Sequence, residues 1–152
     1  MQSNQLIKFV YKLKKLVTFI DNAYDINNGG CCYLSYIIAK QLEKYNIPYL
    51  VGITSYGDFD ISEIKSNINR RSRNGVFSFD DYGCNHISIK IGHLDVNAIE
   101  DDTSDVEYIN LTSKDLHWLY NKGLKNSDWN TTYNTDNNQI ISKFINVLFQ
   151  TV

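Results

Sequence analysis

Apolar side chains recur at helical spacing at the start of the chain. Over residues 5–21, five apolar residues fall on one helical face, opposite a face rich in lysine: Leu6, Val10, Leu13, Val17 and Ile20. This spacing predicts an amphipathic helix whose apolar face packs on a core. The pair Gly29-Gly30 interrupts the pattern, and helical spacing resumes over about 31–45. Since Pro48 cannot continue a helix, the second predicted helix ends before it.

The apolar pattern then changes to the spacing of strands. The run PYLVGIT at 48–54 predicts a short buried strand. Over 86–91, isoleucines alternate with polar residues, which predicts a strand with one face buried. Gly92-His93 fits a two-residue turn, so residues 94–99 are the predicted return strand.

Two further helices are predicted in the second half of the chain. Thr112 or Ser113 can cap a helix that runs to about Tyr120. A tail helix from about Asn138 carries four apolar residues at helical spacing: Ile141, Phe144, Ile145 and Leu148.

No repeat or linker divides the chain. The length of 152 residues fits one domain with a core of its own. The polar stretch 55–84 is long for a connection in a compact domain, and we expect it to take part in substrate selection. The pattern therefore predicts a single α+β domain over residues 1–152, with a helix beginning at Cys31 packed on a small antiparallel sheet.

Charge and cysteine content narrow the possible partners and location. A net charge of −2 gives no bulk attraction for nucleic acid or an anionic membrane, so the tract Arg70, Arg71 and Arg73 is interpreted as a solvated loop. Lysines break the apolar N-terminal run, which excludes a signal peptide or a spanning helix there. Three cysteines cannot all pair within the chain, which favours a reducing compartment. We therefore expect a cytoplasmic protein without a membrane partner.

The stretch Asn28-Gly29-Gly30-Cys31 meets the demands of thiol catalysis. A helix N-terminus stabilises a thiolate through its free N–H groups and its dipole. Preceding glycines allow a substrate carbonyl to approach the backbone closely. Cys31 points toward the buried side of the predicted helix, whereas Cys32 points about 100° away, as the helical repeat dictates. We therefore predict Cys31 as the nucleophile, with Cys32 as the alternative.

A thiol nucleophile needs a base, and His86 opens a predicted strand in a suitable place. The other two histidines fall in a turn and in a helix. Asp95 and Asn97 on the next strand share the facing of His86 and could orient it. If Gly92-His93 is a two-residue turn, Asp95 lies opposite Lys90, roughly 13 Å along the strand from His86. Ideal ladder geometry then favours Asn97, and both residues stay candidates.

Two segments together resemble a known superfamily. GGCCYLSYIIAKQLEKYNIPYLVGI (29–53) and NHISIKIGHLDVNAIE (85–100) resemble the core of papain-like and transglutaminase-like cysteine enzymes, and more closely their small GGC-type phage or bacterial members. Residues 94–97 resemble the Ile-Asp-x-Asn segment of that group, and Trp129-Asn130 adds a weaker likeness. The resemblance covers under half of the chain.

The resemblance implies a papain-like core with Cys31 as nucleophile, His86 as base and Asp95 as orienting acid. It implies a cysteine hydrolase or acyltransferase that needs no cofactor and acts on peptide or carboxamide bonds of a peptide or protein substrate. Hydrolysis and transfer to an amine both stay open, and no sequence feature specifies an oligomeric state.

Two other interpretations compete with thiol catalysis. The chain could be a catalytically inactive binding or host-interaction protein on the same fold, possible because folds outlive their activities. It could also hold zinc through Cys31 or Cys32 together with Cys84 and His86. The absence of a Cys-x-x-Cys pair disfavours zinc, because adjacent cysteines make poor tetrahedral geometry.

Overall fold

The structure, a computed structural model, describes residues 3–55, 66, 84–98, 105–123 and 133–152. The arginine tract at 70–73 and the pair Trp129-Asn130 lie outside these residues. Nine elements follow one another along the described chain: α1 (Ser3–Tyr24), α2 (Cys31–Lys44), β1 (Leu50–Ser55), β2 (Cys84–Ile91), β3 (Leu94–Asp95), β4 (Asp105–Ile109), α3 (Ser113–Gly123), a 3₁₀ turn (Thr135–Asn137) and α4 (Asn138–Phe149).

The four strands form one antiparallel sheet in the order β3-β2-β1-β4. Directly paired residues share a face of the sheet. The pair Ile53–Ile87 therefore belongs to the apolar face, whereas Thr54–His86 and Gly52–Ser88 belong to the other. Helices combined with a small antiparallel sheet agree with the predicted α+β class.

Helix α2 is the central helix of the core. It packs against β2, α3 and α4, and this explains why residues around most of its circumference are buried: Cys31, Cys32, Leu34, Ser35, Ile37, Ile38, Ala39 and Leu42. The sequence pattern predicts only one buried face for this helix. That prediction was too narrow because α3 and α4 cover sides of α2 that the sheet does not reach.

Helices α1 and α4 also bury apolar residues in the core. The predicted apolar face of α1 is buried at Val10, Leu13, Val17 and Ile20, while Leu6 is only partly buried. In α4, Phe149 is fully buried and meets the ring of Phe9 edge to face at 4.9 Å. Aromatic pairs favour this edge-to-face geometry.

The predicted return strand 94–99 was wrong in length. The turn and its register are as predicted, with Lys90 opposite Asp95, but β3 ends at Asp95. There the Asp95 carboxylate accepts the backbone N–H of Asn97 at 2.9 Å, two residues farther along. This side-chain-to-backbone bond bends the chain away from the ladder. Strand β4 was not predicted.

Within the described part of the chain, no helix combines the length and apolarity that a membrane crossing requires. Helix α1 reaches 22 residues, but lysines interrupt its apolar positions.

Candidate active site

The backbone before α2 is shaped so that Cys31 is the first residue of the helix. Gly29 has φ of 113°, in the region that favours glycine. The N–H of Gly30 donates to the carbonyl of Ile26 at 2.7 Å, which closes the turn. A Cβ at position 30 would lie 2.6 Å from the ring of Tyr133 and 2.7 Å from Ile26. Glycine is therefore required at position 30, and Tyr133 packs directly over the segment that presents Cys31.

Cys31 and His86 come together at this helix start, although 55 residues separate them in the chain. The two side chains are close enough to shift each other's pKa, and their exposed fractions are only 7% and 1%. One helical turn along α2, Ser35 Oγ donates to the carbonyl of Ile87 at 3.1 Å. That bond holds α2 against β2 beside His86.

The contact with His86 makes Cys31 more acidic than an ordinary thiol. Burial alone would raise the pKa of Cys31, but the hydrogen bond and charge of His86 outweigh it, with help from the backbone of Ile87 and Cys32. The net pKa of Cys31 is therefore lowered. Burial would likewise lower the pKa of His86, but its bond to Cys31 dominates and the net pKa is raised. Both shifts favour a thiolate–imidazolium pair, the reactive form of a cysteine nucleophile.

The second ring nitrogen of His86 is held by the backbone. Nε2 lies 2.5 Å from the carbonyl oxygen of Asn97. A carbonyl can only accept, so Nε2 carries a proton and Nδ1 is the nitrogen that can take the thiol proton. The orienting acceptor is thus a main-chain oxygen, whereas both sequence candidates were side chains.

Asp95 supports this arrangement by fixing the residues around His86. Its Oδ2 accepts hydrogen bonds from Ser88 at 2.7 Å and from Tyr108 at 2.9 Å, while Oδ1 accepts the N–H of Asn97. Its negative charge also raises the pKa of His86. Asp95 therefore fixes the turn whose carbonyl holds His86. Gly52 leaves room for this cluster, because a Cβ there would contact Ser88, Tyr108 and Asp95.

The side chain of Asn97 pairs with Asn27, just before the cysteine. Each amide donates to the oxygen of the other, at 2.9 and 3.1 Å. Asn27, Ser88 and Tyr108 were all missed in the sequence. Ser88 could have been found because it alternates with His86 on one face, but Tyr108 lies on the unpredicted strand and nothing distinguishes Asn27 from its neighbour Asn28.

The remaining candidates lie elsewhere. Cys32 is fully buried and its Sγ donates to the carbonyl of Leu116 at 3.5 Å, so it faces α3. His117 is exposed, and its ring is tilted by 31° to that of Tyr36 with centroids 4.9 Å apart. Among the described residues, no group of three or more His, Cys, Asp or Glu side chains is placed to hold a metal ion.

Together these contacts provide the parts of a thiol nucleophile: an acidic cysteine, an oriented imidazole and the backbone N–H groups of a helix start. The first N–H groups of a helix have no acceptor within it, so they can stabilise an oxyanion. Comparison with known proteins adds nothing to this geometry, since no protein-family model, curated protein or solved structure matches the chain.

Proposed function

We propose that the protein is a cysteine hydrolase or acyltransferase that acts on peptide or carboxamide bonds of a peptide or protein substrate. The observation that carries this proposal is the pairing of the buried Cys31 and His86 side chains at the start of α2, with Nε2 of His86 held by the carbonyl of Asn97. The papain-like resemblance of the two segments supports the same assignment. Two free, buried cysteines, Cys31 and Cys32, suit a reducing compartment such as the cytoplasm.

In the proposed reaction, the Cys31 proton passes to Nδ1 of His86 and Sγ attacks the substrate carbonyl carbon. The tetrahedral oxyanion is stabilised by backbone N–H groups at the α2 start. As it collapses, His86 returns its proton to the departing amine, the C–N bond breaks and a thioester remains on Cys31. Water or an amine, deprotonated by His86, then attacks the thioester carbonyl. This releases an acid or a new amide, and the thiol reforms.

The test is the rate of Cys31 alkylation by iodoacetamide as a function of pH, with the labelled residue located by tandem mass spectrometry. A small reagent is needed because the Cys31 side chain is nearly buried. The shape of the profile, rather than the absolute rate, carries the information. We expect a midpoint below the ordinary thiol value of 9.0, since the pKa of Cys31 is lowered.

Two variants of His86 separate its roles. In His86→Ala the midpoint should rise, because the lowering by His86 is lost while burial still raises the pKa of Cys31. In His86→Gln the amide can still donate to Asn97 but accepts no proton, so the low-pH reactivity should be lost as well. His93→Ala, at an exposed position in the β2–β3 turn, is the matched control and should leave the profile unchanged.

A wild-type midpoint at or above 9.0, or a profile that His86→Ala does not move, would refute the proposed function. The inactive binding protein would then be the better interpretation. A lowered midpoint that depends on His86 would justify screening peptides and carboxamides for acyl-enzyme formation by intact mass.

A further inference from the structure

The reciprocal amide pair Asn27–Asn97 joins the two halves of the candidate site. Asn27 lies four residues before Cys31, in the turn that leads into α2. Asn97 supplies the main-chain carbonyl that holds His86. The pair spans 70 residues of sequence and links the side chains of the cysteine segment and the histidine support directly.

Both partners are themselves fixed. The N–H of Asn27 donates to Asp21 Oδ1 at 3.0 Å, at the end of α1. The N–H of Asn97 donates to Asp95, and the N–H of Val96, just beyond β3, donates to the carbonyl of Ile89 at 2.9 Å. Asn97 is only 7% exposed. The amide pair therefore joins two anchored segments, and shifting one partner would move the other.

We propose that Asn27 is a positioning residue of the thiol site: its pairing with Asn97 sets the place of the Asn97 carbonyl and, through it, the orientation of the His86 ring toward Cys31. This inference rests on the proposed function for its catalytic meaning. The geometry of His86 that it describes can be measured separately.

Two amides suit this role because each offers both a donor and an acceptor. The two reciprocal bonds restrict the rotation of both side chains, and neither partner introduces a charge beside the Cys31–His86 pair. An aspartate at either position would place two acceptors face to face in a partly buried contact, which is costly. The amide pair thus adds no charge near Cys31, and the pKa of Cys31 depends on His86.

The experiment compares Cys31 alkylation profiles of the wild type, Asn27→Ala, Asn97→Ala and the double variant. The main-chain carbonyl of residue 97 is present in all four, so only its positioning changes. Each single variant should lose about tenfold in the labelling rate at pH 6 and change little at pH 9.5, since one unit of thiol pKa is a tenfold change in thiolate. Because the two amides act as one unit, the double variant should lose no more than either single variant.

A second amide pair in the same chain provides the matched control. Gln41 Nε2 donates to Asn146 Oδ1 at 2.8 Å and joins α2 to α4 at an exposed position. Asn146→Ala removes an amide link of the same kind and should leave the alkylation profile unchanged. An equal shift in Asn146→Ala would mean that any loosening of α2 matters, and the proposal would be wrong.

Nuclear magnetic resonance of ¹⁵N-labelled histidine supplies the readout that does not depend on reactivity. The Nε2–H of His86 should exchange slowly in the wild type, since it is buried and bonded to Asn97, and His86→Gln assigns its signal. In Asn27→Ala this proton should exchange faster. Unchanged exchange in folded Asn27→Ala overturns the proposal, whatever the alkylation result.

The two proposals can fail independently. A wild-type alkylation midpoint of 9.0 or higher refutes the proposed function, while the exchange of the His86 proton still decides the positioning role. If Asn27→Ala does not fold, Asn27→Ser retains a hydroxyl that can make one of the two bonds. If both variants unfold under conditions in which Asn146→Ala is native, the pair serves folding rather than positioning, and the proposal is overturned.

Discussion

Gly52 in the central strand β1 offers a sharp steric test of the cluster around Asp95. A Cβ at this position would lie under 3.0 Å from both Ser88 Oγ and Tyr108 Cε1, and 3.3 Å from Asp95 Oδ2. Real Cβ atoms essentially never approach neighbours within 3.0 Å. Gly52→Ala therefore has to displace Ser88 and shift the ring of Tyr108, or move β1 away from its partners.

The expected cost has two parts. Overpacking in a well-packed region costs about 1–3 kcal/mol. If Ser88 rotates away, its hydrogen bond to the Asp95 carboxylate is weakened, and a bond to a charged group contributes about 1.5–3 kcal/mol. The two costs do not add fully, because rotation of Ser88 relieves the overpacking and Asp95 keeps its other donors. We therefore expect Gly52→Ala to lower the free energy of unfolding by about 2–4 kcal/mol.

Urea unfolding followed by circular dichroism measures this difference, and Ser88→Ala identifies its origin. Ser88→Ala removes the oxygen that the new Cβ would meet, so Gly52→Ala should cost about 1–2 kcal/mol less in the Ser88→Ala background. Gly92→Ala is the control for a glycine with open space, where only the positive φ of 61° opposes a side chain. Strict additivity of Gly52→Ala and Ser88→Ala would show that the clash with Ser88 is not the cause.

Two further predictions concern the core and the link between α2 and α3. Phe149→Ala should lower the free energy of unfolding by about 3–5 kcal/mol, because this ring is fully buried against Phe9; Val147→Ala, at a side chain 61% exposed, should change it by less than about 0.5 kcal/mol in the same urea titration. Glu43 accepts both the N–H and the hydroxyl of Ser113; burial raises the pKa of Glu43, but these bonds outweigh it and the net pKa is lowered. The contribution of Glu43 to the free energy of unfolding should therefore be present above pH 4.5 and lost as the pH falls. In acid titrations monitored by circular dichroism, the stabilities of wild type and Glu43→Gln should converge. A constant difference in stability at all pH values would contradict this expectation.

The helices were predictable because the signals for each lie in its local sequence. Helix α2 begins at Cys31, directly after the glycine pair, and ends at Lys44, close to the predicted limit. The tail helix starts at Asn138, as its apolar spacing indicates. These signals need no partner elsewhere in the chain, since period, caps and breakers lie within a few residues of one another.

Strand β4 shows where local pattern fails. Residues Asp105–Ile109 (DVEYI) carry acidic residues in alternation and lie among polar neighbours, so no apolar run marks them. The segment is a strand because it pairs with β1, where Tyr108 is opposite Gly52. Pairing between distant segments is decided by the tertiary structure and overrides a weak local preference.

The orientation of His86 is the part of the candidate site that no residue-by-residue reading could supply. Both sequence candidates, Asp95 and Asn97, were chosen for their side chains, whereas the contact to Nε2 comes from a main-chain oxygen. Every residue has a carbonyl, so sequence identity does not mark which one will serve. The carbonyl of Asn97 meets His86 just beyond the end of β3, where the Asp95 carboxylate accepts the N–H of Asn97 and helps to turn the chain. Asp95 thus has a structural reason to be present even though its carboxylate is not the atom that holds the ring. A side chain can matter to a site by deciding where the backbone turns.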